Sequence, residues 1–218
     1  MSKLIIIEGI DGSGKTTIAQ ELSRTLKGRS IYLDKKSIDA STPFQRSFMS
    51  KIKQILWESS LEDPISEIDE EAWLYLHILW YHLVQENVLK PKIDQYDYII
   101  MDGWYYKFLA RHIVNKKIDV SLAKELSLRL VSGDMVFLLE VDPEVCYERK
   151  KSVKPSECGA HMDKDADCTK NSFYKYQELV HNAYLLLDVE KKLIRIKAHD
   201  TVCNLVDTII EMVENYDT

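Results

Sequence analysis

Apolar runs alternate with amphipathic stretches along the whole chain. Short apolar runs bounded by polar residues predict buried strands, and apolar residues spaced three and four apart predict helices. The predicted strands are residues 4–7, 30–33, 98–101, 135–141 and 193–196. Since strands that alternate with helices form parallel sheets with helices on both faces, the pattern predicts a doubly wound α/β fold. We expect a single domain over residues 1–218.

Two of the predicted helices carry apolar residues in informative positions. Thr42 and Pro43 predict a helix start, and this helix is expected to turn five apolar side chains inward. They are Phe44, Phe48, Ile52, Ile55 and Leu56. A longer helix, predicted from Ser66 to about Leu89, has apolar residues on more than one face. Burial on both sides explains this pattern, and so does an aromatic wall for a flat ligand.

Residues 9–16 match the phosphate-binding pattern G-x-x-x-x-G-K-[ST] without a gap. Glycines let backbone N–H groups approach phosphate oxygens, and the following helix directs its positive end at them. Lys15 is expected to reach the β- and γ-phosphates of ATP, and the Thr16 hydroxyl to ligate Mg²⁺. The predicted ATP-binding residues are Gly9, Gly12, Ser13, Gly14, Lys15, Thr16 and Thr17. A buried strand before the loop and a helix after it favour a P-loop over a chance glycine-rich turn.

Asp102 ends the third predicted strand. An acidic residue at this place is the expected partner of Mg²⁺ opposite a P-loop. The alternative is that Asp102 only caps the following helix. We therefore predict Thr16 and Asp102 as the metal-binding residues, with the capping role left open.

Residues 150–170 are polar and show no periodicity. A stretch of this kind is typical of a functional loop, and its basic start predicts a lid that closes over ATP. Arg149 and Lys151 are the candidate catalytic cations, although a solvated run of charges is the plain alternative. Cys158, His161 and Cys168 also lie here, but their spacing matches no zinc site.

Composition narrows the class of protein. The net charge of −6 makes general nucleic-acid binding unlikely, because such proteins carry a basic excess. No apolar stretch approaches the ~18 residues of a membrane span, and no signal peptide is predicted. The four cysteines form no C-x-x-C pair. We expect a cytoplasmic protein with reduced thiols.

Several stretches of the chain resemble the thymidylate kinase family of nucleoside monophosphate kinases. Residues 8–17 resemble its P-loop and residues 88–91 the end of its long helix. Residues 139–145 and 148–149 are similar to its fourth strand and following helix, and Phe173 with Tyr184 resembles the helix after its lid. The resemblance implies a five-stranded sheet in the order 2-3-1-4-5, ATP and Mg²⁺ as cofactors, and often a homodimer. It also implies that Asp11 faces the sugar of the acceptor and the metal.

The departures from the family all fall at the acceptor site. The family follows its third-strand aspartate with an arginine, where this chain has Gly103. Its base-reading arginine corresponds to Tyr81, and Lys35–Ile38 replace a proline- and glycine-rich turn. An arginine clamp on phosphate is planar and bidentate, so glycine and tyrosine cannot copy it. The residues expected to contact the acceptor are Lys36, His77, Trp80, Tyr81, Trp104 and Arg111, with Lys35 and Arg46 as further cations that could recover the phosphate.

These features favour a kinase that moves the γ-phosphoryl group of ATP to a nucleoside monophosphate or a related acceptor. The predicted catalytic residues are Asp11, Lys15, Asp102, Arg149 and Lys151. A kinase of a neutral hydroxyl compound is one alternative, because the family's arginines are missing. A non-catalytic P-loop regulator is the other, although Asp11 and the basic lid argue against it.

Overall fold

The central feature is a parallel five-stranded sheet. The computed structural model describes residues 2–58, 68–115, 118–159, 167–188 and 193–216. The strands are β1 (Lys3–Gly9), β2 (Ser30–Leu33), β3 (Tyr98–Asp102), β4 (Met135–Glu140) and β5 (Leu193–Lys197). Every neighbouring pair is parallel, and the order is β2-β3-β1-β4-β5. The doubly wound fold and its strand order are thus confirmed.

Helices connect the strands and cover both faces of the sheet. They are α1 (Lys15–Thr25), α2 (Pro43–Trp57), α3 (Glu70–Val84), α4 (Tyr105–Val114), α5 (Val120–Ser127), α6 (Pro143–Glu148), α7 (Lys170–Leu186) and α8 (Val202–Glu214). Within the described ranges, no helix is long and apolar enough to cross a membrane.

Strand β1 separates two hydrophobic cores. Ile5 and Ile7 belong to a core with α1 and α8, whereas Leu4 and Ile6 belong to a core with α3, α4 and α7. Because side chains alternate between the faces of a strand, burial on both faces favours apolar residues at successive positions, as at residues 4–7. This burial explains the continuous apolar run that leads into the P-loop.

Helix α2 differs from its predicted packing. Phe44, Phe48 and Ile55 are 78%, 42% and 48% exposed, and only Met49 and Ile52 are buried. The inward orientation predicted for those three side chains is therefore wrong. A single helical stripe packs on the core here, and apolar residues outside it remain at the surface.

Helix α3 begins at Glu70, where the Asp69 side chain accepts hydrogen bonds from the N–H groups of the first turn. It ends at Val84 and continues as a π-helical turn over Gln85–Leu89, close to the predicted end. The predicted start at Ser66 lies outside the described residues. Burial of residues on more than one face, including Leu74, Trp80 and Tyr81, favours the core interpretation of this helix.

Candidate active site

The P-loop connects β1 to α1 at the carboxyl edge of the sheet. Gly12 has a φ of +84°, and a Cβ at this residue would lie 2.5 Å from the Cys146 carbonyl oxygen. A side chain would therefore separate the loop from α6. Gly14, also in a left-handed conformation, precedes the first residue of α1. The glycines thus allow a tight loop that leads directly into a helix N-terminus.

Lys15 lies across the loop and is nearly buried. Its Nζ donates to the Ile10 carbonyl oxygen at 2.6 Å and to Ser13 Oγ at 3.4 Å. Burial and the nearby Lys107 ammonium lower the pKa of Lys15 to about 8, although Asp11 acts in the opposite direction. The ammonium is therefore held beside the loop with its charge incompletely balanced.

Asp102 ends β3 opposite Ile7 of β1. The Thr16 hydroxyl donates to its Oδ2 at 2.5 Å, and its Oδ1 is buried without a hydrogen-bond partner. The residue at the N-terminus of α4 is Trp104, which makes no side-chain cap. Asp102 is therefore no helix cap, and a hydroxyl beside a carboxylate with an unpaired oxygen fits the oxygen ligands that Mg²⁺ prefers.

Asp11 forms the centre of a partly buried ion cluster. Lys107 Nζ lies 2.7 Å from its Oδ1, and Arg111 Nη2 lies 2.6 Å from its Oδ2. Gln177 accepts from the Asp11 N–H at 2.9 Å and donates to the carboxylate at 3.2 Å. Although burial alone would raise the pKa of Asp11, Lys107 and Arg111 hold it well below its ordinary value. Asp11 is an ionised carboxylate in this setting.

Sequence reasoning identified Asp11 and Arg111 but missed Lys107 and Gln177. Lys107 is four residues before Arg111 on α4, so both side chains lie on one face of the helix. That spacing was a usable signal. Gln177 is on α7, 166 residues from Asp11, and no local pattern points to their contact.

A second buried carboxylate, Glu8, lies beside Gly103. Glu8 is fully buried and accepts from the Trp104 N–H at 2.6 Å and the Tyr184 hydroxyl at 2.9 Å. Burial raises its pKa, while the nearby Lys35 ammonium opposes this shift. Sequence reasoning assigned Glu8 no role beyond the P-loop resemblance.

The aromatic residues expected at the acceptor site are packed in the protein interior. Trp80, Tyr81 and Trp104 are 0%, 3% and 0% exposed. The indole N–H of Trp80 donates to the Lys35 carbonyl oxygen, and that of Trp104 to the carbonyl oxygen of Val131, both at 3.0 Å. Their assignment to acceptor binding stays a prediction, and their burial favours a core role.

His77 stacks on Phe108 with ring centroids 4.3 Å apart and an angle of 21° between the planes. Its Nδ1 lies 2.9 Å from the Trp73 carbonyl oxygen. Burial lowers the pKa of His77 to about 4. His77 is therefore neutral near pH 7, and its ring packs against the protein's own phenylalanine.

The remaining predicted cations differ in environment. Arg149 and Lys151 are exposed, whereas Lys150 forms a salt bridge of 3.0 Å with Glu157. The Lys36 ammonium lies 4.9 Å from the centroid of the Trp57 ring. Arg46, in the first turn of α2, donates to the carbonyl oxygens of residues 40 and 41 in the loop before the helix. Its role as a phosphate contact is therefore not favoured.

Cys158 and Cys168 are joined by a disulfide, with Cα atoms 5.4 Å apart. The expectation of reduced thiols is therefore wrong for this pair, because the fold brings the two residues within bonding range. A disulfide leaves no thiolate for a metal, so these cysteines do not support the metal-site hypothesis. His161 lies outside the described residues, and Cys146 and Cys203 are free.

Comparisons with known proteins agree with this geometry. The family model described as thymidylate kinase matches residues 7–200. A thymidylate kinase of Prochlorococcus marinus strain NATL2A is 30% identical over 156 residues, which are 70% of this chain and 72% of the relative. The thymidylate kinase of Chlorobium limicola is 31% identical over 84% of this chain and 80% of its own. The thymidylate kinase of Prochlorococcus marinus strain MIT 9312 is 27% identical over 98% of this chain and 96% of its own. The chain belongs to the thymidylate kinase family.

Proposed function

We propose that this protein transfers the γ-phosphoryl group of ATP to an anionic acceptor, a nucleoside monophosphate. Family membership supports an ATP-dependent nucleotide kinase. The observation that carries the choice of an anionic acceptor is the excess of cations around Asp11. An acceptor that brings a phosphate into this cluster would balance a charge that the protein leaves unbalanced.

On the ATP side, the loop amides of residues 9–17 and the Lys15 ammonium would hold the phosphates. Thr16 and Asp102 would hold Mg²⁺, which when bound neutralises charge on the β- and γ-phosphates. Arg149 and Lys151 at the base of the lid would supply further positive charge, and their exposure leaves them free to move toward the nucleotide. Catalysis in this class is mainly positioning and charge stabilisation.

The buried charges favour a monophosphate over a neutral acceptor. The cations are Lys15, Lys35, Lys107 and Arg111, and the carboxylates are Glu8, Asp11 and Asp102. Burial lowers the pKa of Lys107 to about 8 and also lowers that of Lys35. Burial also raises the pKa of Glu8, so this carboxylate offsets less of the positive charge of the cluster. A phosphate dianion would favour the charged form of each lysine.

A kinase assay over nucleosides, nucleoside monophosphates and small hydroxyl compounds tests this function. We expect turnover with at least one monophosphate and a much lower kcat/KM for the matching nucleoside. A preference for the nucleoside would contradict the anionic acceptor. Binding of ATP with no turnover on any acceptor would support the regulatory alternative.

The cellular setting rests on the same resemblance. We infer a cytoplasmic enzyme with a small-molecule phosphate acceptor and without a nucleic-acid partner. A homodimer is expected from the family resemblance, and sedimentation equilibrium would test it.

A further inference from the structure

The space beside Gly103 is filled by Lys35, a lysine in the turn after β2. Gly103 has a φ of +85°, and a Cβ there would lie only 3.0 Å from Lys35 Nζ. The two carboxylate oxygens of Glu8 lie 3.6 and 3.9 Å from the same position. Lys35 follows β2, and Gly103 follows β3, its neighbour in the sheet. The missing side chain therefore leaves room for an ammonium group at the carboxyl edge of the sheet.

The backbone of Lys35 is held by the core. The indole N–H of the buried Trp80 donates to the Lys35 carbonyl oxygen at 3.0 Å. The ammonium has Glu8 nearby, but Glu8 already accepts from Trp104 and Tyr184. The Lys35 ammonium is thus positioned by rigid elements beside a carboxylate that is shared with two other donors.

The other cations of the site are already engaged. Lys107 and Arg111 both pair with the carboxylate of Asp11 at 2.6–2.7 Å. Lys15 donates to the P-loop itself, and Lys36 lies over the Trp57 ring. Arg111 keeps one buried donor, Nε, without a hydrogen-bond partner, but its guanidinium is already paired with Asp11. Among the lysines of the cluster, Lys35 is therefore the one that can take up a new anion with the least loss of existing contacts.

We propose that Lys35 binds the phosphate monoester of the acceptor, in place of the arginine for which this chain has Gly103. This inference rests on the proposed function and assigns its acceptor subsite. A lysine is a point charge, whereas an arginine fork also fixes orientation. Lys35 in the role of the arginine therefore still attracts a phosphate dianion, but it constrains the orientation of the rest of the acceptor less.

Binding of inorganic phosphate and of a nucleoside monophosphate by titration calorimetry tests the assignment. The P-loop is first saturated with a non-hydrolysable ATP analogue and Mg²⁺, so that added phosphate cannot bind there beside Lys15. We expect Lys35→Met to weaken both ligands roughly tenfold or more, the effect of losing one charged hydrogen bond. Lys35→Arg should retain binding, and Lys27→Met, at an exposed surface position, should match the wild type.

A neutral acceptor separates a charge effect from structural damage. Lys35→Met should lower kcat/KM for the monophosphate by a much larger factor than kcat/KM for the matching nucleoside. If Lys35→Met destabilises the fold by removing the cation near the buried Glu8 carboxylate, the double variant Lys35→Met with Glu8→Gln removes both charges. Unchanged phosphate binding in a folded variant, or an equal loss for monophosphate and nucleoside, would overturn the assignment. Phosphate binding that needs Lys35 but leads to no turnover would contradict only the proposed function.

Discussion

The charge state of Lys15 is expected to affect how tightly the P-loop binds ATP. Its lowered pKa, about 8, means that the ammonium is protonated below this pH and loses its proton above it. We predict that ATP affinity falls as the pH rises above about 8, by up to about tenfold per pH unit for one lysine. Fluorescence titration with a non-hydrolysable analogue from pH 6.5 to 9.5 measures this. A flat profile would contradict the lowered pKa.

Removal of the Lys15 side chain should separate catalysis from folding. We predict that Lys15→Ala abolishes phosphoryl transfer, because the cation that reaches the β- and γ-phosphates is gone. The melting temperature without ATP should change little, since the variant also removes a buried charge that is close to Lys107. Normal turnover in this variant would overturn the assignment of the ATP site.

His77 should make the protein sensitive to acid. Its pKa is about 4 in the folded protein against an ordinary value of 6.5, so the unfolded chain binds more protons between these values. Stability should therefore fall as the pH drops through this window, by at most about 3 kcal/mol. His77→Phe keeps an aromatic ring against Phe108 and cannot titrate. The variant should therefore lose less stability than the wild type between pH 6.5 and 4. Urea unfolding across this range measures the difference, with His82→Gln on the exposed side of α3 as the matched control.

At the scale of elements, the segment after α6 is tied to the P-loop through α7. Gln177 on α7 donates to the Glu157 carbonyl oxygen at 2.7 Å and also contacts Asp11. Glu157 in turn pairs with Lys150. We predict that an ATP analogue together with an acceptor increases the hydrogen-exchange protection of residues 150–159, as expected for a lid. Equal protection in the free and bound protein would count against a lid.

The disulfide predicts the number of thiols that react before and after reduction. Thiol titration of the unreduced, denatured protein should give two reactive groups, Cys146 and Cys203, and four after reduction. The Cys158→Ser and Cys168→Ser variants should each give three without reduction, which together identify the bonded pair. Four thiols in the unreduced wild type would restore the original expectation of reduced cysteines.

At the scale of the whole molecule, the fold of the family is kept, and we expect the acceptor site to differ from that of the family. Tyr81 is buried against Trp104, with ring centroids 5.1 Å apart, where the family resemblance expects a base-reading arginine. We predict that thymidine monophosphate is a poor substrate, because the charged hydrogen bond to the base is lost. One such loss lowers kcat/KM by about tenfold or more, and two losses lower it by two or more orders of magnitude where Lys35 does not replace the phosphate contact. Steady-state kinetics beside other monophosphates measures this. A best-substrate value of about 10⁴ M⁻¹s⁻¹ or more for thymidine monophosphate would show that the substitutions were misread.

Features that depend on contiguous residues could be read directly from the chain. The P-loop needs a strand, a glycine-rich turn and a helix start in immediate succession, and all three lie within residues 3–25. The sheet follows from the same local periodicity, repeated five times, while its strand order came from the family resemblance. Helix α2 shows the limit, because Phe44 and Phe48 have helical spacing but remain exposed. Periodicity identifies an apolar stripe without showing whether another element covers it.

The amino-acid sequence by itself determined the class of fold, the phosphate-binding loop and Asp102 as the acidic end of the third strand. Only the tertiary structure decided which charged side chains lie together at the predicted acceptor site. Asp11 meets Arg111 from 100 residues away, and Lys35 reaches Gly103 from the neighbouring strand. The physical reason is that short-range spacing governs backbone conformation, whereas ion pairs form wherever packing brings side chains within a few ångströms. No local pattern in the chain encodes that distance.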